Sequence, residues 1–172
     1  MLDKIFEAKS VAVIGASRTP GKLGHDILKN ILDAGYTGRL FPVNPKAEEI
    51  LGLKVYKSVE EIPEQVDLAI IVIPAVYVPQ TIRQCGQKGI KGAVIISGGF
   101  GEVGNQQLEE DLLKALKETG IRIIGPNCQG INNPWIGLNA SWPMIKAPGM
   151  ISIASQSGTF FATLQMWAKE DN

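Results

Sequence analysis

The sequence predicts an α/β fold built on a parallel sheet with helices on both faces. Apolar segments of strand length alternate along the chain with amphipathic segments of helix length. The strand-length segments are near-continuous runs of Val and Ile, as in residues 66–73, and do not alternate between apolar and polar residues. Such runs are typical of strands buried on both faces. Strands joined through helices also predict right-handed crossovers and a doubly wound sheet.

The predicted elements follow one another in a regular order. Five strands are expected at residues 11–15, 40–43, 66–73, 92–96 and 121–124. Helices are expected at residues 23–34, 76–88 and 106–118, where Leu and Ile recur at helical spacing. This order predicts a Rossmann-like domain over residues 1–128.

Residues 129–149 break this rhythm with Pro, Asn and Gly, and we interpret them as a linker or a loop wrapped over the domain. A further strand is expected at residues 150–154 and a further helix from about residue 159 to 168. One strand and one helix cannot form a domain by themselves. Residues 150–172 are therefore expected to be the first βα unit of a second, incomplete domain.

Composition excludes several classes of protein. Acidic and basic residues number 17 each, so the basic excess typical of nucleic-acid binding is absent. The apolar runs are far too short to span a membrane, and the first residues lack a signal-peptide core, so we expect a cytoplasmic protein. The two cysteines, Cys85 and Cys128, fall in different predicted elements and indicate neither a disulfide framework nor a metal site.

The loop between the first strand and the first helix is the leading candidate for a ligand site. It runs from Gly15 to Gly24 and contains Arg18 and Lys22. In doubly wound sheets this loop brings backbone N–H groups and a helix N-terminus to a phosphate chain. The spacing differs from G-x-G-x-x-G, so an ordinary βα turn remains an alternative.

The end of the second strand indicates which nucleotide would fit. NAD-binding domains carry Asp or Glu there to bind the ribose 2′-hydroxyl. Here the strand is followed by Asn44, Pro45 and Lys46. A cation suits a ligand with an additional ribose phosphate, such as coenzyme A (CoA) or NADP, although a solvated surface lysine is the alternative.

Further candidates follow the third, fourth and fifth strands at the same edge. They are Ile73, Pro74 and Ala75, then Ser97, Gly98 and Gly99, and then the turn that contains Asn127 and Cys128. Cys128 has no histidine near it in sequence, so a structural role is favoured over a nucleophilic one. The turn formed by Ser155, Gln156, Ser157, Gly158 and Thr159 fits either a capped helix start or a phosphate site.

Taken together, several motifs resemble those of ADP-forming acetyl-CoA synthetases and, more distantly, the α-subunit of succinyl-CoA synthetase. They are VAVIGAS, GKLG, FPVNPK, DLAIIVIPA, ISGGFGEVG, GPNCQGINN, LNASW and ISIASQSGT. The motifs follow one another in the family's order over nearly the whole chain. The set is therefore more specific for the family than any single motif. We therefore identify the chain as resembling the CoA-binding part of an NDP-forming acyl-CoA synthetase.

The resemblance implies roles for individual residues. The nucleotide end of CoA would meet Gly15, Ala16, Ser17, Lys22, Leu23 and Gly24, with Asn44 and Lys46 near the ribose phosphate. The pantetheine arm would pass Ile73, Pro74, Ala75, Ser97, Gly98 and Gly99 toward Asn127 and Cys128. The Ser155–Gln156–Ser157–Gly158–Thr159 turn would belong to a flavodoxin-like second domain and would stabilise a phosphorylated histidine.

The resemblance also sets limits on activity. The family's phosphorylated histidine should lie beyond residue 172, and no histidine follows His25. An ATP-grasp portion is not recognisable either, so we expect no catalytic residue, no metal site and no synthetase activity in this chain alone. Its partners would be CoA or acyl-CoA and the remaining synthetase domains or an ATP-grasp subunit. The alternative is a CoA- or NADP-binding module without a catalytic role.

Overall fold

The structure, a computed structural model, describes residues 2–142 and 148–170. The strands in these residues are β1 (Ser10–Ile14), β2 (Arg39–Val43), β3 (Glu49–Ile50), β4 (Leu53–Lys54), β5 (Leu68–Ile71), β6 (Gly92–Ile95), β7 (Arg122–Ile124), β8 (Gly130–Asn133) and β9 (Leu138–Ser141). The α-helices are α1 (Asp3–Phe6), α2 (Leu23–Asp33), α3 (Val78–Gln87), α4 (Gln106–Thr119) and α5 (Gly158–Glu170).

Five strands form a parallel sheet in the order β2-β1-β5-β6-β7. The chain leaves β1 toward β2 and later returns to the other side of β1 through β5. The carboxyl ends of β1 and β5 therefore flank the point where the winding reverses, which is where open α/β sheets bind ligands. The predicted doubly wound α/β fold is confirmed.

Both faces of the sheet are covered. On one face α3 and α4 bury an apolar cluster that includes Ile82, Phe100 and Leu112. On the other face α2 contributes Ile27 and Ile31 to a second cluster. Burial on both faces explains why the strands are continuous apolar runs, since neither side of the pleat meets water.

Residues 130–141 form a β-hairpin where the sequence predicted a linker. β8 and β9 pair antiparallel, and Leu138 and Ala140 join the apolar cluster beneath α2. The Asn30 side-chain amide of α2 donates to the Ser141 carbonyl at 2.9 Å. The hairpin thus covers part of the sheet face beside α2. The prediction of a linker or a loop wrapped over the domain did not include these two strands, because the Asn- and Gly-rich segment lacks a clear alternating pattern. Residues 143–147 of the predicted linker lie outside the described residues.

The predicted strand at residues 150–154 is also wrong. A strand forms when its N–H and C=O groups pair with a neighbour, and no strand in the described part of the chain lies beside this segment. Ile151 remains 84% exposed. The helix predicted after it is present as α5. The division of the chain into two domains stays a prediction, and residues 1, 171 and 172 lie outside the described residues.

Candidate functional site

The carboxyl edge of the sheet, where β1, β2, β5, β6 and β7 end, brings the predicted site residues together. Gly15, directly after β1, adopts φ +94° and lies against the end of β5. A methyl group on Gly15 would lie 2.2 Å from the Val72 carbonyl oxygen and 2.8 Å from Cγ2 of Ile73. Only glycine therefore fits at this point, both for its φ and for its space.

The N-terminus of α2 packs directly onto the same glycine. A methyl group on Gly24 would lie 2.0 Å from the Gly15 carbonyl oxygen. The N-cap residue Lys22 makes no side-chain capping bond. Among the described residues, the N–H groups of Leu23 and Gly24 meet no acceptor. A helix start with free N–H groups and an adjacent lysine favours an anion.

Local hydrogen bonds hold the loop between β1 and α2. The Ser17 hydroxyl accepts from the Thr19 N–H at 3.1 Å, and the Asp26 carboxylate accepts from the Gly21 N–H at 3.2 Å. Nδ1 of the buried His25 lies 2.9 Å from the Ser17 carbonyl oxygen. Because a carbonyl only accepts, Nδ1 carries the proton. His25 thus helps to hold the loop.

Asn44 joins the end of β2 to this loop. Its side-chain amide donates to the Ala16 carbonyl at 2.6 Å, and its side-chain oxygen accepts from the Lys46 N–H at 2.8 Å. Both polar atoms are therefore already bonded within the protein. Asn44 positions the loop, while the exposed Lys46 side chain follows it at the rim.

A cleft of about 220 Å³ lies between the ends of β1, β2 and β5. Its lining includes two of the candidate residues, Gly15 and Ile73. It also includes polar residues that the sequence did not single out, namely Lys57, Ser58, Thr81 and Gln84. The segment after β4 reaches the cleft because the backbone of Tyr56 pairs with β2. The Tyr56 N–H donates to the Pro42 carbonyl at 3.0 Å. No motif marks Lys57, since only this pairing carries it to the site.

Ser97 joins the ends of β5 and β6. Its hydroxyl accepts from the Ile73 N–H at 3.1 Å and donates to the Ile71 carbonyl at 3.4 Å. Next to it, Gly98 lies between two side chains, since a methyl group there would approach Asn127 at 2.9 Å and Glu102 at 3.0 Å. Gly99, at φ +115°, lies against Ala75. The glycine pair therefore occupies a narrow space between the strand ends.

The turn after β7 closes this end of the site. The Asn127 N–H donates to the Ser97 carbonyl at 2.9 Å, so the turn is tied to the end of β6. Cys128 lies beneath it, with its thiol 3.4 Å from the Ile95 carbonyl oxygen. Burial raises the pKa of the Cys128 thiol, which disfavours the nucleophilic thiolate.

The turn before α5 lies beside Gln129. A methyl group on Gly158 would lie 3.1 Å from Cγ of Gln129. Ser157 caps the helix, because its hydroxyl accepts from the Phe160 N–H at 3.2 Å. The Ser155 hydroxyl accepts from the Ser157 N–H at 3.1 Å. The structure thus supports the capped-helix interpretation and places the turn next to the Cys128–Gln129 segment.

The carboxyl edge contains basic side chains as well as the Asp26 and Glu102 carboxylates, which accept from N–H groups of their own loops. Arg18, Lys22, Lys46 and Lys57 all belong to this edge, and in residues 2–142 and 148–170 no ion pair includes any of them. Although the chain as a whole is neutral, the edge offers cations without internal partners. Such an arrangement fits a ligand with several phosphates.

A family model described as a CoA binding domain matches residues 9–134. The chain belongs to the CoA-binding domain family. The matched range contains the five-stranded sheet and all the carboxyl-edge residues described above, while the Ser157 turn lies beyond it. The resemblance drawn from the motifs is thereby confirmed.

Curated relatives of this chain include ADP-forming acetate–CoA ligases. The ADP-forming acetate–CoA ligase of Methanocaldococcus jannaschii is 52% identical over 158 residues, covering 91% of this chain and 22% of the relative. The α subunit of ADP-forming acetate–CoA ligase I of Pyrococcus furiosus is 47% identical, covering 96% of this chain and 37% of that subunit. The chain therefore spans between a fifth and two fifths of the length of these relatives.

A solved structure has the same fold over nearly the whole chain. It is the dinucleotide-forming acetyl-coenzyme A synthetase 1 of Ca. Korarchaeum cryptofilum in complex with phosphate and ADP. The TM-score is 0.86 at 38% identity, covering 98% of this chain and 36% of that one.

None of the helices in the described residues is long and apolar enough to cross a membrane.

Proposed function

We propose that this chain is the CoA-binding portion of an NDP-forming acyl-CoA synthetase. Such an enzyme interconverts acyl-CoA, ADP and phosphate with the free acid, CoA and ATP. Family membership and the ADP-forming ligases among the relatives support this proposal. The observation that carries it is the close packing of Gly24 on Gly15, which leaves the Leu23 and Gly24 N–H groups open beside Lys22.

The diphosphate of CoA binds at the start of α2 in this proposal. The Leu23 and Gly24 N–H groups donate to its oxygens, and the Lys22 ammonium neutralises part of its charge. The lack of side chains at Gly15 and Gly24 brings the start of α2 against the ends of β1 and β5, so that the ligand meets backbone N–H groups there. The Asn44 amide and His25 hold the loop that presents these groups.

The ribose phosphate lies toward the end of β2. Lys46 is the leading candidate for this contact, because it follows the strand tip where NAD-binding domains carry an acid. Lys57 lies on the wall of the neighbouring cleft and is a second candidate. Either lysine distinguishes CoA from a ligand that lacks the 3′-phosphate.

The pantetheine arm crosses the carboxyl edge from β1 toward β7. Ile73, Pro74 and Ala75 border the first part of this course, and Ser97, Gly98 and Gly99 the next. At the glycine pair the arm would lie against backbone, since Asn127, Glu102 and Ala75 occupy the space where side chains would stand. The thiol then ends near Asn127 and Cys128, close to the Ser155–Gln156–Ser157–Gly158–Thr159 turn, which we propose binds phosphate.

Isothermal calorimetry with CoA tests the diphosphate site. Lys22→Glu should lower the affinity, since losing a charge-assisted phosphate contact costs on the order of 1.5–3 kcal/mol and reversing the charge costs more. Lys91→Glu is a matched control, because Lys91 is exposed and precedes β6 at the opposite edge of the sheet. Equal affinity in the wild type and Lys22→Glu would contradict the site.

The same titration decides between CoA and NADP. Both carry a ribose phosphate, but CoA alone carries the pantetheine arm that the glycine pair would accommodate. We expect CoA to displace NADP and not the reverse. Preferred binding of NADP would favour a binding module without synthetase function.

The acyl-CoA synthetase reaction also needs the remaining synthetase domains or an ATP-grasp subunit. A coupled assay with acetyl-CoA, ADP, Mg²⁺ and phosphate should give no ATP with the 172-residue chain alone. Its only histidine, His25, is buried, and its Nδ1 is bonded to the Ser17 carbonyl, which disfavours transfer of a phosphoryl group to it. ATP formation that survives His25→Ala would reveal a nucleophile elsewhere in the chain, and formation that the substitution abolishes would assign that role to His25.

A further inference from the structure

Glu102 makes contacts that the proposed function does not yet use. It follows β6 and the glycine pair, in a short 3₁₀ helix over Gly101–Val103. Its side chain turns back, so that Oε1 accepts from the Gly99 N–H and Oε2 accepts from the Phe100 N–H at 3.1 Å. Oε1 also lies beside Gly98. One carboxylate thus binds two successive backbone N–H groups of the loop at the thiol end.

Besides Glu102, the Asn105 side-chain amide contacts the glycine pair, donating to the Gly99 carbonyl at 3.4 Å. Phe100 is fully buried and anchors the far side of the loop, and Asn127 anchors the near side through the Ser97 carbonyl. Between these anchors, Gly98 and Gly99 have no side chains to pack. Glycine has the widest choice of backbone conformations, so this segment is the part of the site that most needs an external restraint.

The Glu102 carboxylate suits this role as a charged acceptor. The Gly99 N–H and further backbone N–H groups lower the pKa of Glu102, so it stays ionised at neutral pH. Its charge is directed at N–H donors of its own loop. Hydrogen bonds with a charged acceptor are shorter and stronger than neutral ones.

We propose that Glu102 is a positioning residue for the thiol end of CoA, holding Gly98 and Gly99 in the conformation that admits the pantetheine arm. The inference rests on the proposed CoA site. Without the carboxylate, the glycine pair samples other conformations, and binding the arm then includes the cost of ordering it. The nucleotide end, formed by the β1–α2 loop, does not depend on Glu102.

The test compares CoA with adenosine 3′,5′-bisphosphate, which carries the 3′-phosphate but no pantetheine arm. Calorimetry on the full chain should show that Glu102→Ala weakens CoA binding by about tenfold. Its affinity for the bisphosphate should match that of the wild type. Glu102→Gln keeps one acceptor oxygen and should fall between the wild type and Glu102→Ala.

Glu110→Ala is the matched control, because Glu110 is an exposed glutamate in α4. Thermal unfolding followed by circular dichroism confirms that each variant is folded. If Glu102→Ala does not fold, Glu102→Gln takes its place in the calorimetric test. Equal losses for both ligands, or no loss for CoA, would overturn the positioning role. Failure of the wild type to bind either ligand would instead overturn the proposed CoA site.

Discussion

The two edges of the parallel sheet are built in opposite ways. At the amino edge, where the strands begin, the Asp67 carboxylate accepts from the Lys4 ammonium at 2.8 Å, the Lys9 N–H at 3.0 Å and the Ser10 hydroxyl at 3.4 Å. At the carboxyl edge, glycines replace side chains, and N–H groups and cations lack partners within the described residues. The Asp67 carboxylate at the amino edge is therefore satisfied internally, whereas the start of α2 at the carboxyl edge is left open to a ligand.

Tyr36 illustrates the closed character of the amino edge. Its hydroxyl donates to the Ala8 carbonyl at 2.7 Å. Burial, with the negative charge of Asp67, raises the pKa of Tyr36 to about 12. The phenol therefore remains a neutral donor at any physiological pH. The comparison teaches that both edges contain internal hydrogen bonds, and that the carboxyl edge differs in also keeping the Leu23 and Gly24 N–H groups without an acceptor among the described residues.

The largest expected effect comes from closing the carboxyl edge sterically. Gly15→Ala should destabilise the protein by roughly 3 kcal/mol or more, because left-handed strain adds to overpacking against Val72. It should also abolish CoA binding. Gly21→Ala is the control, since Gly21 has φ +81° but no atom within 4 Å of an added methyl group. Chemical denaturation that gives equal losses for the two variants would contradict the close-packing argument.

Breaking the amino edge should lower stability and leave binding intact. Asp67→Asn should cost about 1.5–3 kcal/mol in the free energy of unfolding at pH 7, the range for hydrogen bonds with a charged group. Calorimetry should give an unchanged affinity for CoA. A matching loss of CoA affinity would show that the two edges are not independent.

The pH dependence of stability separates Asp67 from its asparagine variant. Burial raises the pKa of Asp67, but hydrogen bonds from Lys4, Lys9 and Ser10 outweigh burial and lower it overall. The stabilisation is therefore present above the unfolded pKa of about 3.9 and is lost as pH falls through the lower folded pKa. Urea unfolding should be measured from pH 6 to pH 2, about the titration range of Asp. The difference in unfolding free energy between the wild type and Asp67→Asn should disappear as the pH falls.

Removing a single cation from the carboxyl edge should alter ligand preference and leave stability unchanged. Lys46→Met should lower the preference for CoA over dephospho-CoA by about tenfold, since one charged phosphate contact is lost. Lys57→Met is the matched comparison, because Lys57 lines the cleft beside β2. A drop in Lys57→Met alone would assign the 3′-phosphate to Lys57. No change in either variant would contradict a lysine contact with this phosphate.

The smallest expected effect comes from removing one serine hydroxyl at either edge of the sheet. The Ser10 hydroxyl accepts from the Asp67 N–H at 3.0 Å, and the Ser97 hydroxyl accepts from the Ile73 N–H at 3.1 Å. Replacing either by Ala should cost about 1 kcal/mol in unfolding free energy. Ser97→Ala should also weaken CoA binding, whereas Ser10→Ala should not. Thermal unfolding and calorimetry on both variants measure this difference.

The site was predictable where the chain order itself builds it. The β1–α2 loop joins neighbouring elements, so Gly15, Lys22 and Gly24 could be placed at the carboxyl edge from the sequence alone. Lys57 and Glu102 could not. Lys57 reaches the cleft only through the pairing of Tyr56 with β2, and Glu102 contributes only because its side chain folds back onto Gly99 and Phe100.

The apolar runs by themselves determined the parallel sheet, because successive residues such as Ile70 and Ile71 are both buried, one on each face of the sheet. The tertiary structure alone decided which other segments become strands. Residues 150–154 are as apolar as β6 yet form no strand, since they have no neighbour to pair with among the described residues. The Asn-rich β8 and β9 form one because they pair with each other over α2. Side-chain burial is encoded locally, whereas backbone pairing depends on a partner that is distant in sequence.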